Sequence, residues 1–437
     1  MKERLKSAAL AVLVLGSLVQ SYFLIYRLPG SGTVLTSETS YVQTENMGQE
    51  ESVEDLIFPD RMIIHMGGNK HTVFYPGTTF YDLILSRLEG RTFENYQRRS
   101  IQSADWNAVR EQNKGIELSF SGGVPVTLLE KLMRITPDPV FRAETINRIW
   151  IYIDKQASKT HALFFSTRGD VVYEATQADL TVEDVEQHAA FGISSPPYEM
   201  VDGNYYIPQE DMEVEQPVVL SGLFTIEQMQ RNLFFDPSIT RNIQEKDGSE
   251  IYTDSKRSLQ VKQEQRWMSY TDPAAPSSEQ SDAVRDLLAG VEFVNQHGGW
   301  DGRYRLALQS SLDYGTKVVF QQYYKSFPVM DKPSFRFGTI QLEMQQETAS
   351  VYERSLLYLK GGEHSSHKVM LPGGEKLKQQ LAKQAEGQAI TDISPVYMPK
   401  LIDQGIELVP VWRVKLENGG EFTVGASPAS GTAATGR

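Results

Sequence analysis

The stretch GGEHSSHKVMLPGG holds the chain's most metal-like spacing, with His364 and His367 three residues apart. Two imidazoles so placed can share a divalent cation, but a stable zinc site takes three or four ligands, and no third one stands nearby at a recognisable spacing. The stretch falls between an expected strand and an expected helix, so it reads as a solvated loop. His65 and His71 flank an expected hairpin and read as structural or exposed. There is no G-x-S-x-G elbow, no G-x-x-x-x-G-K-[ST] phosphate loop and no H-E-x-x-H helix. Gly122-Gly123 reads as a turn. With 56 acidic residues, any carboxylate pair is available, so none in particular argues for glycoside hydrolysis. Trp150, Trp267, Trp300 and Trp412 lie in or beside expected strands and read as core, as do Tyr205-Tyr206 and Tyr323-Tyr324. The residues therefore point to no cofactor, no metal and no catalytic group.

The elements around these residues mix both periodicities. RMIIHMGG and KHTVFYPG read as strands joined by a glycine turn. TFYDLILSRLEG reads as a helix with Phe80, Leu83, Ile84 and Leu88 on one face and Gly90 as its stop. Strands IELSF, RIWIYID, HALFFST and DVVYEA surround shorter helices, and TVEDVEQHAAF is a helix capped at Thr181. Further on, SEIYTD, SLQVKQ and QRWMSYTDP form a meander turning at Asp247-Gly248. A helix from about Ser278 to His297 carries Val284, Leu287, Leu288, Val291 and Val294 on its buried side. The last strands include a hairpin at Asn418-Gly419. IYTDSKRSLQVKQEQRWMSY and FPVMDKPSFRFGTIQLEMQQETASVY share a strand–turn–strand plan, a faint repeat. The expected fold class is α+β.

At 437 residues the chain exceeds one ordinary core. It has no cysteine, which excludes disulfides, a thiol nucleophile and thiolate-bound zinc. Net charge is −13, yet the first thirty residues carry +3 and leave about −16 on the remainder. An acidic body argues against nucleic acid, which calls for basic patches.

Ser7 to Tyr26 is twenty residues without a charge. As a helix it reaches about 30 Å, the thickness of a bilayer's hydrocarbon core. Lys2, Arg4 and Lys6 precede it and stay cytoplasmic, which puts the body outside. Tyr22 and Tyr26 sit where aromatic rings favour the outer interface, followed by Arg27. A cleaved signal peptide is the rival, but the apolar run continues past Val19-Gln20-Ser21 with no clean small-residue cleavage site. Gly16, Ser17, Gln20 and Ser21 form small or polar pairs four residues apart, which suit contact with a partner helix. The plain alternative is that small residues are common in membrane helices and Gln20 bonds to its own backbone.

NLFFDPS, IYTDSKRSLQV, MSYTDP, FPVM, VYERSL and VMLPGGEKL follow one another in an order that resembles the YycH family of Gram-positive Firmicutes. The end of the chain, ITDISPVYMPKLIDQGIELVPVWRVKLENG, is also similar to YycI and to PepSY-type modules. The resemblance implies one membrane helix, an extracytoplasmic α+β body whose second and third domains are alike, and no enzymatic activity. It further implies action with a YycI-like protein on the cell-wall sensor histidine kinase WalK, also called YycG. The expected divisions are a basic start at 1–6, a transmembrane helix at 7–28 and a linker at 29–54. Domains follow at 55–194, 195–275 and 276–425, with order beginning near Asp55 and a disordered tail at 426–437. A ligand-sensing or protease-inhibiting PepSY-like module and an anchored cell-wall hydrolase are the alternative readings.

Overall fold

The computed structural model describes residues 46–428 except 155–157, 263, 265, 277–281 and 313–314, together with Lys6, Val14 and Ser17. Those three are helical and exposed. They belong to a unit of residues 1–43, separate from a second unit of residues 44–437. Among the described residues no helix is long and apolar enough to cross a membrane. The expected span at 7–28 lies outside them apart from Val14 and Ser17.

The second unit is α+β, with three sheets and eight helices among the described residues. The first ten strands are β1 (Arg61–Met66), β2 (His71–Phe74), β3 (Thr92–Ser100), β4 (Lys114–Pro125), β5 (Arg134–Ile135), β6 (Thr145–Asp154), β7 (Lys159–Ser166), β8 (Val171–Ala178), β9 (Tyr198–Val201) and β10 (Tyr205–Pro208). They make one sheet in the order β10-β9-β2-β1-β4-β6-β7-β8-β3-β5. Its central strands are apolar on both faces. Ile146, Ile149, Ile151 and Ile153 of β6 enter the main core, while Trp150 packs in a smaller cluster with Leu163, Phe165 and Val172. Side chains alternate across a strand, so each face needs its own cover. Helix α1 (Thr79–Glu89) covers the main face through Tyr81, Ile84 and Leu88, with Gly90 as its cap. Helix α2 (Trp106–Gln112), capped by the Asp105 carboxylate, covers the other through Trp106 and Val109. Helices α3 (Val126–Leu132), α4 (Pro139–Arg142) and α5 (Val182–Ala190) add to the main face. Thr181 and Asp184 cap α5 reciprocally. Gly122-Gly123 does not end β4. Both glycines have positive φ, and they fall at a register shift between Ser119 and Val124, a bulge inside the strand.

The second sheet draws on distant parts of the chain. It contains β11 (Met212–Leu223), β21 (Leu357–Leu371), β22 (Ile390–Ile402), β23 (Gly405–Leu416), β24 (Glu421–Gly425) and β25 (Ser427–Pro428), ordered β22-β23-β11-β21-β25 with β24 beside β23. The third runs β12-β13-β14-β15-β20-β19-β17-β16, with β18 beside β17. Its strands are β12 (Arg241–Gln244), β13 (Glu250–Thr253), β14 (Ser258–Lys262), β15 (Trp267–Thr271), β16 (Arg303–Leu312), β17 (Gly315–Tyr324), β18 (Phe327–Pro328), β19 (Thr339–Gln345) and β20 (Thr348–Ser355). Helix α6 (Ile226–Leu233) and helix α7 (Ala283–Gln296) precede and interrupt these strands, and α8 (Gly374–Ala385) packs with the second sheet. On α7, Leu287, Val291 and Val294 are buried, but Leu288 is exposed and Gly290 takes a buried place near Met344.

The sheets cross the expected divisions. β9 and β10 lie beyond residue 194 yet complete the first sheet. Strands from both sides of residue 275 share the third, where the two halves of the faint repeat meet as β15 against β20. Order also begins ahead of Asp55. Met47 and Gly48 donate to Gly298 O at 2.8 and 2.9 Å, and Gln49 and Trp300 exchange backbone bonds at 2.9 and 2.8 Å. At the other end, Ser427 and Pro428 pair with Met370 and Val369, where a disordered tail was expected. All four core tryptophans expected from the sequence are 2% exposed or less.

Candidate functional site

β1 and β2 form a hairpin whose turn uses Gly67, Gly68 and Asn69, all at positive φ. Its register sets His65 directly opposite His71. On the other side of β1, β4 places Gly115 opposite His65, and Glu117 stands opposite Trp150 of β6. His65, Glu117, Arg148 and Trp150 thus share the face turned away from the main core. Gly115 is needed there because a Cβ would lie 2.5 Å from Ile151 O.

The result is a buried ionic cluster. Glu117 accepts from Arg110 Nε of α2 at 3.1 Å and stands 3.0 Å from Arg148 Nε. Arg110 lies over the Trp150 ring at 5.2 Å. His65 Nε2 is 3.4 Å from Glu117 Oε2, short of good hydrogen-bond geometry. The His65 and His71 Nδ1 atoms are 3.0 Å apart, and His71 Nε2 is 3.0 Å from the Asn69 side chain. Burial costs a charge its hydration, so it lowers the pKa of both imidazoles, to about 3 for His71. Burial pushes Glu117 the other way, but the two guanidiniums overcome it and hold the carboxylate ionised, well below its ordinary range. Two neutral rings with facing Nδ1 atoms can share only one proton there. With Asn69 Oδ1 facing His71 Nε2, that nitrogen carries its proton and donates to Asn69, His65 Nδ1–H donates to the bare His71 Nδ1, and His65 Nε2 is left without a hydrogen bond beside Glu117.

Beside the hairpin lies a cavity of about 640 Å³ between β1–β2 and α5, lined by Met66, His71, Lys114, Glu186, Ala189 and Tyr198 among others. That volume suits a small molecule. Its imidazole is too weak a base for proton abstraction at neutral pH. The lining Ser195 donates its hydroxyl to Phe191 O at 3.1 Å rather than to a base. The arrangement offers hydrogen bonding and shape.

The structure separates the residues singled out by sequence. His364 and His367 are in a strand, not a loop. They occupy the exposed middle of β21, and His364 falls at a register shift against β11. A β-paired partner, invisible to local turn composition, holds this polar stretch extended. Among the described residues no group of three metal-ligating side chains occurs. Ser17 and Lys6 are helical and exposed. Gly16, Gln20, Ser21, Lys2, Arg4, Tyr22, Tyr26 and Arg27 lie outside the described residues. His65 and His71 are central to the cluster, with Glu117, Arg110 and Arg148 as members that sequence reading missed. The available signal was a charged residue inside the strands GIELSF and NRIWIYID, whose flanks are apolar on both faces; buried charges need partners.

Comparison with known proteins completes the picture. The model of the YycH protein N-terminal domain matches residues 3–190, and that of the YycH protein C-terminal domain matches residues 202–422. The chain is 19% identical over 440 residues to the two-component system WalR/WalK regulatory protein YycH of Bacillus subtilis (strain 168), covering 95% of each chain. The crystal structure of YycH from Bacillus subtilis matches with a TM-score of 0.69 at 16% identity, over 87% of this chain and 98% of that one. The α+β body is thus the fold of that protein, and the chain belongs to the YycH family.

Proposed function

We propose that the chain is a membrane-anchored, non-enzymatic regulator of a WalK-like sensor histidine kinase, acting with a YycI-like partner. The observation that carries this is the full-length likeness to a protein named as a WalR/WalK regulator, over 95% of both chains. The uncharged run Ser7–Tyr26, flanked by Lys2, Arg4 and Lys6, supports an anchor with the body outside the cytoplasmic membrane.

A sensor kinase is a two-state helical assembly. A partner helix that packs better against one state shifts the population by its differential affinity alone. About 1.4 kcal/mol gives a tenfold shift, within reach of a few close contacts at Gly16, Ser17 and Ser21 with one hydrogen bond from Gln20. Replacing residues 7–26 by an unrelated apolar spanning helix then abolishes co-purification with the kinase from membranes. Full co-purification and unchanged kinase output after the exchange refute helix contact. A ligand-sensing role for the body is compatible with this and is favoured by the cavity beside His71.

A further inference from the structure

A second cavity lies where the three sheets meet. Arg61 and Ser121 reach it from the first sheet, Arg305 and Tyr323 from the third, and Arg413 and Lys415 from the second. Its volume is about 360 Å³, room for a small molecule. Asp60 is the one acidic residue among its lining residues, against four cations.

The charges are not equally free. Arg61 is held by Asp392 at 2.5 Å and donates to Ile393 O at 2.8 Å. Arg413 pairs with Glu421 at 2.5 Å, and Lys415 is 3.7 Å from Asp392. Asp60 accepts from the Ser121 amide and hydroxyl, each at 2.8 Å. Arg305 differs. It is 4% exposed, donates through Nε to the Tyr323 hydroxyl at 3.2 Å, and forms no direct ion pair among the described residues, although the Asp60 carboxylate acts on it from beyond contact distance. A guanidinium is always charged, and burying it without a directly paired counter-ion is unfavourable. Its planar fork is also the side chain best suited to two oxygens of one anion. Phe327 and Val396 add apolar wall to the same cavity.

We propose that this cavity binds a small molecule through an oxyanion, a carboxylate or phosphate group, which supplies the direct ion pair that Arg305 does not form with Asp60. Lys415 and Arg413, the more exposed cations, add to the field, and the body of the ligand rests on Phe327 and Val396. A bound anion would join strands of all three sheets. The assignment stands on this geometry and not on the regulatory reading.

The test is calorimetric titration of the purified full chain in detergent, with inorganic phosphate and with benzoate as separate probes, against sodium chloride of matched ionic strength. At least one probe saturates a single site, and the preferred probe identifies the head group. Arg305→Gln weakens that binding at least tenfold, and Lys415→Gln about threefold. Lack of saturation by either probe in the folded chain overturns the proposal, as does binding by folded Arg305→Gln within twofold of the parent. Where Arg305→Gln does not fold, the Lys415→Gln and Arg413→Gln variants decide: parental affinity in both overturns the proposal, and weakened affinity in either supports it.

Discussion

Replacing Glu117 by glutamine keeps the shape of the side chain and removes the carboxylate that, among the described residues, pairs with both Arg110 and Arg148. The Arg148 side chain is 35% exposed, so water screens much of its loss. The Arg110 side chain is 6% exposed and faces the full effect. Stranding one member of a buried pair costs about 3–5 kcal/mol. The glutamine oxygen still accepts one bond, so the lower end, about 3 kcal/mol, is expected. Denaturant unfolding of the full chain near neutral pH measures this as a lower midpoint with an unchanged slope. Repeating it with Arg110→Met, alone and combined, isolates the pair, with a coupling of about 2 kcal/mol expected. A loss below about 1 kcal/mol, or strict additivity, refutes the claim that Glu117 neutralises a buried charge.

Two more outcomes follow from the described geometry. His65 and His71 are buried neutral, so below about pH 6.5 the unfolded chain takes up protons that the folded chain refuses. Their stabilising share is complete above that pH and declines as pH falls toward about 3 for His71, by up to about 1.4 kcal/mol per pH unit for each ring. Denaturation across this range should show the slope, and His71→Gln should lower it by one ring's share; an unchanged slope would falsify the assignment. Gly48→Ala drives a Cβ to 1.9 Å from Trp300 O, so it releases Met47–Gln49 from Gly298–Trp300. Proteolysis should then cut within 46–54 much faster while the melting temperature of the sheets barely moves.

Local pattern located the elements well because periodicity is a local property. On α1 the expected Ile84 and Leu88 are buried, with Tyr81 beside them in place of the half-buried Phe80 and Leu83, and the caps at Thr181 and Gly90 were readable where they stand. Pairing was not readable. Nothing near QPVVLSG announces that β11 will bond to β21 and β23, which lie far along the chain. The buried cluster was hidden for the same reason. Glu117, Arg148 and His65 reach one face only when β1, β4 and β6 are in register, and Arg110 arrives from α2. The exposed Leu288 and the bulge at Gly122-Gly123 show tertiary context overruling a local signal.

The interleaving of the second and third sheets also sets an order of assembly. Every strand of the first sheet is present once residue 208 has emerged. β11 must then wait for β21 and β23, and β15 must wait for β20. Contacts so distant in sequence form slowly, because a long loop has to close before any pair is made. A chain delivered from its N-terminus can therefore fold in two stages, with the first sheet as early scaffold, then the third completed with β20 and the second only with β25. Between those stages the edges of β11 and β15 stand open, which makes the interval the period of greatest exposure to mispairing.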